Sequence, residues 1–190
     1  RDFCLSRGLG DVYKRQEDIL ETRESVAIHG YTAASGDAAV RQGLADYMNQ
    51  TYDAQVRADN FYMTCGAAAS LTISLKALVE GPDDEIILIA PFFPEYTVFI
   101  HNANAKAVVL PPDTEHFQIS LDALEKAITP HTRAIIINSP NNPSGVVYSA
   151  DTYEKLAALL TRKSQEIGHP IYIISDEPYR EIIYDGLPIL

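Results

Sequence analysis

Apolar positions along the chain follow two alternating patterns, a helical stripe and a short continuous run, and the alternation predicts an α/β domain. Asp37–Tyr52 carries Ala39, Val40, Leu44, Ala45, Tyr47 and Met48 on one stripe, with Asp37 placed as N-cap. Phe61–Thr64 predicts a short strand, followed by Gly66 and an alanine-rich helix that reaches about Val79 and stops at Gly81-Pro82. Ile86–Ala90 reads as a buried strand, Pro94–Asn102 as a short helix and Ala107–Leu110 as a strand. Ser120 caps a helix over Leu121–Ile128, with Leu121, Leu124 and Ile128 on one face. Ala134–Asn138 is a strand, Ala150–Ile167 a long helix ended by Gly168, and Ile171–Ile174 a strand again. Strands apolar along their whole length and separated by helices predict a mostly parallel sheet covered on both faces, a three-layer αβα arrangement.

Residues 1–16 stand apart from this pattern. They carry four basic residues (Arg1, Arg7, Lys14, Arg15) against two acidic ones (Asp2, Asp11), whereas the whole chain carries −11. With Gly8 and Gly10 and no helical or strand period, this stretch reads as a foreign or disordered tail outside the fold. The remaining composition, 46% hydrophobic and 22% charged over 190 residues, is that of a soluble globular protein. The acidic balance excludes general binding to nucleic acid or to an anionic membrane, and no apolar run approaches the ~20 residues that span a bilayer. Two cysteines (Cys4, Cys65), five histidines without metal-binding spacing and no secretory signal pattern predict a cytoplasmic protein with reduced thiols and no metal.

Candidate chemistry gathers where strands end. The turn Cys65-Gly66-Ala67-Ala68-Ala69-Ser70 opens a helix, and unpaired amides and the dipole at a helix N-terminus suit an anion. It matches neither a P-loop nor a Gly-x-Gly-x-x-Gly turn, and close helix-on-sheet packing explains the alanines equally well. Pro91-Phe92-Phe93-Pro94-Glu95-Tyr96 offers a ring face for stacking, or else a plug over the core. Asn138-Ser-Pro-Asn-Asn-Pro-Ser-Gly145 is a rigid turn that aims Asn142 into a crevice. Asp176 follows a strand expected to be buried on both faces, so its carboxylate needs a partner: a cationic heterocycle, or more simply Arg180. Tyr179 reaches the same pocket. An amide, a carboxylate and a phenol at strand ends suit a flat, partly cationic, hydrogen-bonding ring.

Gly66-Ala67-Ala68, Pro91-Phe92-Phe93-Pro94, Asn141-Asn142-Pro143-Ser144-Gly145 and Asp176-Glu177-Pro178-Tyr179 occur in the order and spacing of class I/II aminotransferases, and residues 17–190 resemble that family. These are pyridoxal-5′-phosphate (PLP) enzymes of fold type I. The resemblance implies that Gly66, Ala67 and Ala68 hold the cofactor phosphate, and that Phe93 stacks on its pyridine ring. Asn142 and Tyr179 would bond the ring's phenolic oxygen, and Asp176 would pair with the protonated ring nitrogen. Tyr31, in Tyr31-Thr32-Ala33-Ala34-Ser35-Gly36, resembles the tyrosine that reaches the phosphate of the neighbouring subunit in a homodimer. The implied substrates are an amino acid and a 2-oxo acid.

The family's Schiff-base lysine lies downstream of the Asp-x-x-Tyr motif, and Lys106, Lys126, Lys155 and Lys163 all precede it. The resemblance therefore implies a fragment, inactive alone: residues 17–60 lead into the large domain, and 61–190 form an incomplete PLP-binding large domain. It also implies that two later strands lie between Phe61–Thr64 and Ala134–Asn138, so that their lack leaves strand edges open to aggregation. Other readings are a carbon–sulfur lyase or cyclopropane-forming synthase of the same fold, an aminotransferase-like sensor domain of a transcription regulator, and a nucleotide-binding α/β domain without PLP.

Overall fold

The computed structural model describes residues 4–113, 115–182, 184 and 186. The first three residues of the expected tail, and Leu190, lie outside the described residues. The chain divides into two compact units, one up to Met63 and one from Thr64 onward.

The first unit is helical. Helix α1 spans Cys4–Thr22 and runs through residue 16 without a break, where the sequence reading saw no helical period. Its 19 residues contain no proline, and glycines at 8 and 10 cost only about 1 kcal/mol each relative to alanine. Helix α2, Ser25–His29, is too short to register as a period. Helix α3, Ala38–Tyr52, begins as expected at Asp37, whose Oδ1 accepts from the amides of Ala39 (2.8 Å) and Val40 (3.1 Å). Two of its polar side chains anchor the segment that follows. Arg41 Nη1 donates to the Ala58 carbonyl at 2.9 Å, and the Asn49 amide exchanges two 2.8 Å bonds with the Val56 backbone.

Phe61–Thr64 is not a strand. Its backbone bonds among the described residues run from Phe61 N–H to the Ala58 carbonyl (3.2 Å) and from Met63 N–H to the Ser35 carbonyl (3.0 Å), and the segment has no place in the sheet. An extended segment becomes a strand only when a ladder partner satisfies its backbone. Met63 packs instead on Gly36 (φ +94°), where a Cβ would sit 2.4 Å from the methionine side chain.

The second unit is the α/β layer structure. Four strands, β1 (Glu85–Ile89), β2 (Lys106–Leu110), β3 (Thr132–Asn138) and β4 (Tyr172–Asp176), form a wholly parallel sheet in the order β2-β1-β3-β4. Neighbouring residues of β1 and β3 serve opposite faces. Ile86, Leu88, Ala134 and Ile136 pack under α4 (Ala67–Leu78) and α5 (Glu95–Asn102) with Leu71, Leu75 and Ile100. Ile87, Ile89, Ile135 and Ile137 pack under α6 (Leu121–Ala127) and α7 (Ala150–Ile167) with Leu124, Leu156 and Leu160. Burial on both faces is why these strands read as unbroken apolar runs. Ser120 and Ser149 cap α6 and α7, and Gly168, at φ +85°, ends α7.

The strand order changes one expectation, the burial of β4. Both edges of β3 are taken, by β1 and β4, so a further strand would have to add beyond β4 or β2. For the same reason β4 is not buried on both faces: as an outer strand it leaves Tyr172 47% and Ile173 43% exposed.

At the amino end of the sheet, Asp84 is 5% exposed and fully bonded. Its Oδ2 accepts from the amides of Glu80 (2.6 Å) and Gly81 (3.1 Å), and its Oδ1 from Arg133 Nε on β3 (2.8 Å). Burial pushes this carboxyl up, but Arg133 and the two amides outweigh it and hold the group below the ordinary aspartate value. A depressed carboxyl stabilises the fold above its unfolded pKa and loses that contribution as pH falls through the folded one. Asp84→Ala is expected to cost about 2–4 kcal/mol in urea denaturation at neutral pH, since it strands two amides and Arg133 Nε, with Arg133 left only its Glu80 pair. The gap to wild type should close only below about pH 4. An unshifted midpoint at pH 7 would show that the network contributes nothing.

Candidate functional site

From β1 the chain runs outward through α5 to β2, returns to β3 on the other side of β1, and continues through α7 to β4. Connections therefore leave β1 and β3 in opposite directions, and the crevice beyond their carboxyl ends is where ligands of open α/β sheets bind. A cavity of about 250 Å³ lies there, within the second unit.

Four segments line it: Ala67, Ala68 and Leu71 from the start of α4, then Phe93, Tyr96 and Phe99 from the segment after β1 and from α5. Asn138 and Asn142 come from the end of β3, and Asp176, Pro178 and Tyr179 from the end of β4. Six of the residues singled out from sequence thus converge at one site: Ala67, Ala68, Phe93, Asn142, Asp176 and Tyr179. Gly66 does not line the cavity. It is the N-cap of α4 at φ +101°, and its carbonyl accepts from Ala69 and Ser70, which leaves the amides of Ala67 and Ala68 as first-turn donors without an intrahelical acceptor. Tyr31 belongs to the first unit, where its side chain is fully exposed.

The turn after β3 holds two cis peptide bonds, Ser139–Pro140 and Asn142–Pro143. It is closed by Gly145 N–H to the Asn141 carbonyl (2.7 Å) and by Ser144 on the Asn141 side chain (2.8 Å). Asn141 is buried and serves the loop, so Asn142 is the asparagine presented to the cavity.

Asp176 is the last residue of β4 and is half-buried. The simple ion pair with Arg180 is replaced by other contacts: Arg180 reaches Glu177 at 3.3 Å, while Asp176 Oδ2 accepts from the Tyr96 hydroxyl at 2.6 Å. Tyr96 is 1% exposed, with Phe93 edge-on at 5.6 Å and Phe92 stacked at 6.5 Å. Burial first, and then the bond to Asp176, pushes its phenol upward, so it remains a donor.

Asn138 was also missed from sequence. This buried amide donates Nδ2 to the Asp176 carbonyl (2.8 Å) and accepts the Asn142 amide at Oδ1 (2.7 Å), tying both strand-end motifs together. The one available signal was a polar residue closing an apolar strand. Tyr96 gave none, because its partner lies 80 residues away.

A first-turn amide pair, an aromatic face, an acceptor-rich carboxylate and a neutral amide can hold a phosphorylated aromatic ring with a cationic nitrogen. The donor set fits PLP. No group of three or more His, Cys, Asp or Glu side chains converges to hold a metal among the described residues, and none of their helices is long and apolar enough to cross a membrane.

The model of the family "aminotransferase class I and II" matches residues 8–189. A probable aspartate aminotransferase of Methanocaldococcus jannaschii is 31% identical over 186 residues, 96% of this chain and 48% of that protein. The aspartate aminotransferase of Rhizobium meliloti is 32% identical over 185 residues, 94% and 43% of the two chains. The crystal structure of an aminotransferase from Eubacterium rectale superposes with a TM-score of 0.89 at 56% identity, covering 91% of this chain and 44% of that one. The chain thus spans about half the length of the relatives it matches. Sequence match, layer order and the convergence of the strand-end motifs agree, and the chain belongs to the class I and II aminotransferase family.

Proposed function

We propose that the protein to which these residues belong is a PLP-dependent aminotransferase that moves an amino group between an amino acid and a 2-oxo acid. The reading includes a cytoplasmic homodimer, with Tyr31 reaching the partner's cofactor phosphate. Residues 17–60 lead into the large domain and 61–190 form part of it. The observation that carries the proposal is the convergence of Asp176, Asn142, Tyr179, Phe93 and the α4 N-terminus on one cavity at the switch point.

In this reading the amides of Ala67 and Ala68 hold the phosphate, and Phe93 covers one face of the ring. Asn142 and Tyr179 donate to the phenolic oxygen. Asp176 accepts the proton-bearing ring nitrogen and holds that proton in place. Bound in this way, the cofactor supplies an electron sink for a carbanion at the substrate Cα. The four lysines of residues 17–190 other than Lys76 precede the Asp-x-x-Tyr motif and match no family position, and Lys76 sits in the last turn of α4. The chain alone is therefore proposed to be inactive.

The full-length protein loaded with PLP tests this reading. Addition of its amino donor should change the near-visible absorbance, and a 2-oxo acid should restore it. An unchanged spectrum with every common amino acid would sink the activity. Purified residues 1–190 should turn over no amino donor, and measurable turnover would overturn the inactivity of the chain alone.

A further inference from the structure

We propose that Tyr96 is a positioning residue for the cofactor, acting through Asp176; the proposal rests on the PLP reading of the cavity. Three observations place it there. Its hydroxyl sits 2.6 Å from Asp176 Oδ2, a short charge-assisted bond between side chains 80 positions apart. The ring is 1% exposed and is held from two sides by Phe92 and Phe93, so the hydroxyl has little freedom to leave. Tyr96 also lines the cavity itself, as does Asp176.

The consequence is a division of labour on one carboxylate. Tyr96 occupies Oδ2, and the Asp176 backbone carbonyl is fixed by Asn138, so the residue is held at two points, one on its side chain and one on its backbone. Oδ1 has no donor among the described residues and is the oxygen left for a pyridinium N–H. A carboxylate free to rotate would spend part of its time out of line with the ring nitrogen. One held by a buried phenol presents a single oxygen in a single direction, and the orientation is set before the ligand arrives.

The same contact joins two parts of the site. Phe93, which would stack on the ring, packs edge-on against Tyr96, and Tyr96 bonds Asp176, which would meet the ring's edge. Ring face and ring nitrogen are thus registered against each other through one side chain.

Two probes separate this role from simple packing. Pyridoxamine 5′-phosphate binds without needing a lysine, and 3-hydroxybenzyl phosphate offers a similar phosphate and phenol but no ring nitrogen. Titrations of both into wild type, Tyr96→Phe, Asp176→Asn and the double variant give the answer. Wild type should favour the pyridine probe. Tyr96→Phe should weaken that probe roughly five- to thirty-fold and leave the benzene probe within about twofold, as expected when a hydrogen bond to a charged group is lost. In the Asp176→Asn background the tyrosine change should add almost nothing. Equal weakening of both probes by Tyr96→Phe, additive effects in the double variant, or no effect on the pyridine probe would each overturn the positioning role. A wild type that binds neither probe, or binds both equally, would instead remove the PLP reading of the cavity, and the proposal with it.

Discussion

Asp176→Ala is expected to weaken binding of pyridoxamine 5′-phosphate about thirty- to a hundredfold near neutral pH, the largest single loss at this site. The magnitude follows from a charge-assisted hydrogen bond in a half-buried crevice, worth about 2–3 kcal/mol, with each 1.4 kcal/mol a factor of ten. The removed carboxylate is held by Tyr96 on Oδ2, whereas Asn138 holds the backbone carbonyl of the same residue. Asp176→Ala leaves the backbone bond intact, so β4 should stay paired to β3 through Ile137↔Ser175 and Asn138↔Asp176. The loss should therefore appear mainly in affinity, with the denaturation midpoint falling only by what the unpartnered Tyr96 hydroxyl costs, about 1–3 kcal/mol. Calorimetric titration beside a urea melt separates the two. Unchanged affinity would mean that the carboxylate does not meet the ring.

Asn138→Leu should act differently, on stability and affinity together. One buried amide satisfies the Asn142 N–H, in the turn after β3, and the Asp176 carbonyl, at the end of β4. Leucine fills a similar volume but leaves both groups without a partner, at about 1–3 kcal/mol for each, although water reaching the crevice recovers part. A total of about 2–4 kcal/mol is the expected loss in denaturation. Binding of pyridoxamine 5′-phosphate should fall about tenfold or more, because Asn142 and Asp176 no longer hold a fixed separation. Asn138→Asp keeps the acceptor for Asn142 but puts a carboxylate oxygen against the Asp176 carbonyl, so it should not rescue. A variant with wild-type stability and affinity would show that the two motifs are held apart from Asn138.

Much of this architecture was legible in the sequence wherever the physics is local. Asp37 and Ser120 sit at the starts of α3 and α6 because a side-chain oxygen there meets amides two or three residues on. The apolar runs of β1 and β3 were readable because both faces of the sheet are covered. Phe61–Thr64 failed because strand status depends on a distant partner, which four residues of sequence do not encode. The exposure of β4 was missed for the same reason: an edge and a centre strand share a composition, and only the strand order separates them.

The site shows the same division. Asn142, Asp176 and Tyr179 were legible from their places just beyond apolar runs, where an α/β sheet gathers its chemistry. Tyr96 and Asn138 were not, since each acts by holding another residue. Tyr96 reads as one more apolar position on α5 until its hydroxyl is seen against Asp176. Gly66 shows the reverse case: singled out as part of a phosphate cradle, it sets the turn and leaves the lining to Ala67 and Ala68.

The outer strands carry a further expectation. Val109 on β2 and Tyr172 and Ile173 on β4 are 43–49% exposed along unpaired edges. Edges of this kind recruit other strands, and the purified chain is expected to associate or precipitate as concentration rises. Light scattering across a dilution series checks this, and a monomer that melts cooperatively at high concentration would refute it.

The central claim is that the cavity binds PLP with Asp176 on a protonated ring nitrogen. Its most direct test is the ¹⁵N NMR signal of ring-labelled pyridoxamine 5′-phosphate bound to the chain, followed through a pH titration. The account predicts a pyridinium shift that persists to higher pH than in the free ligand and reverts towards free-ligand behaviour in Asp176→Ala. A ring nitrogen that titrates in the wild-type complex as it does in free solution would contradict it.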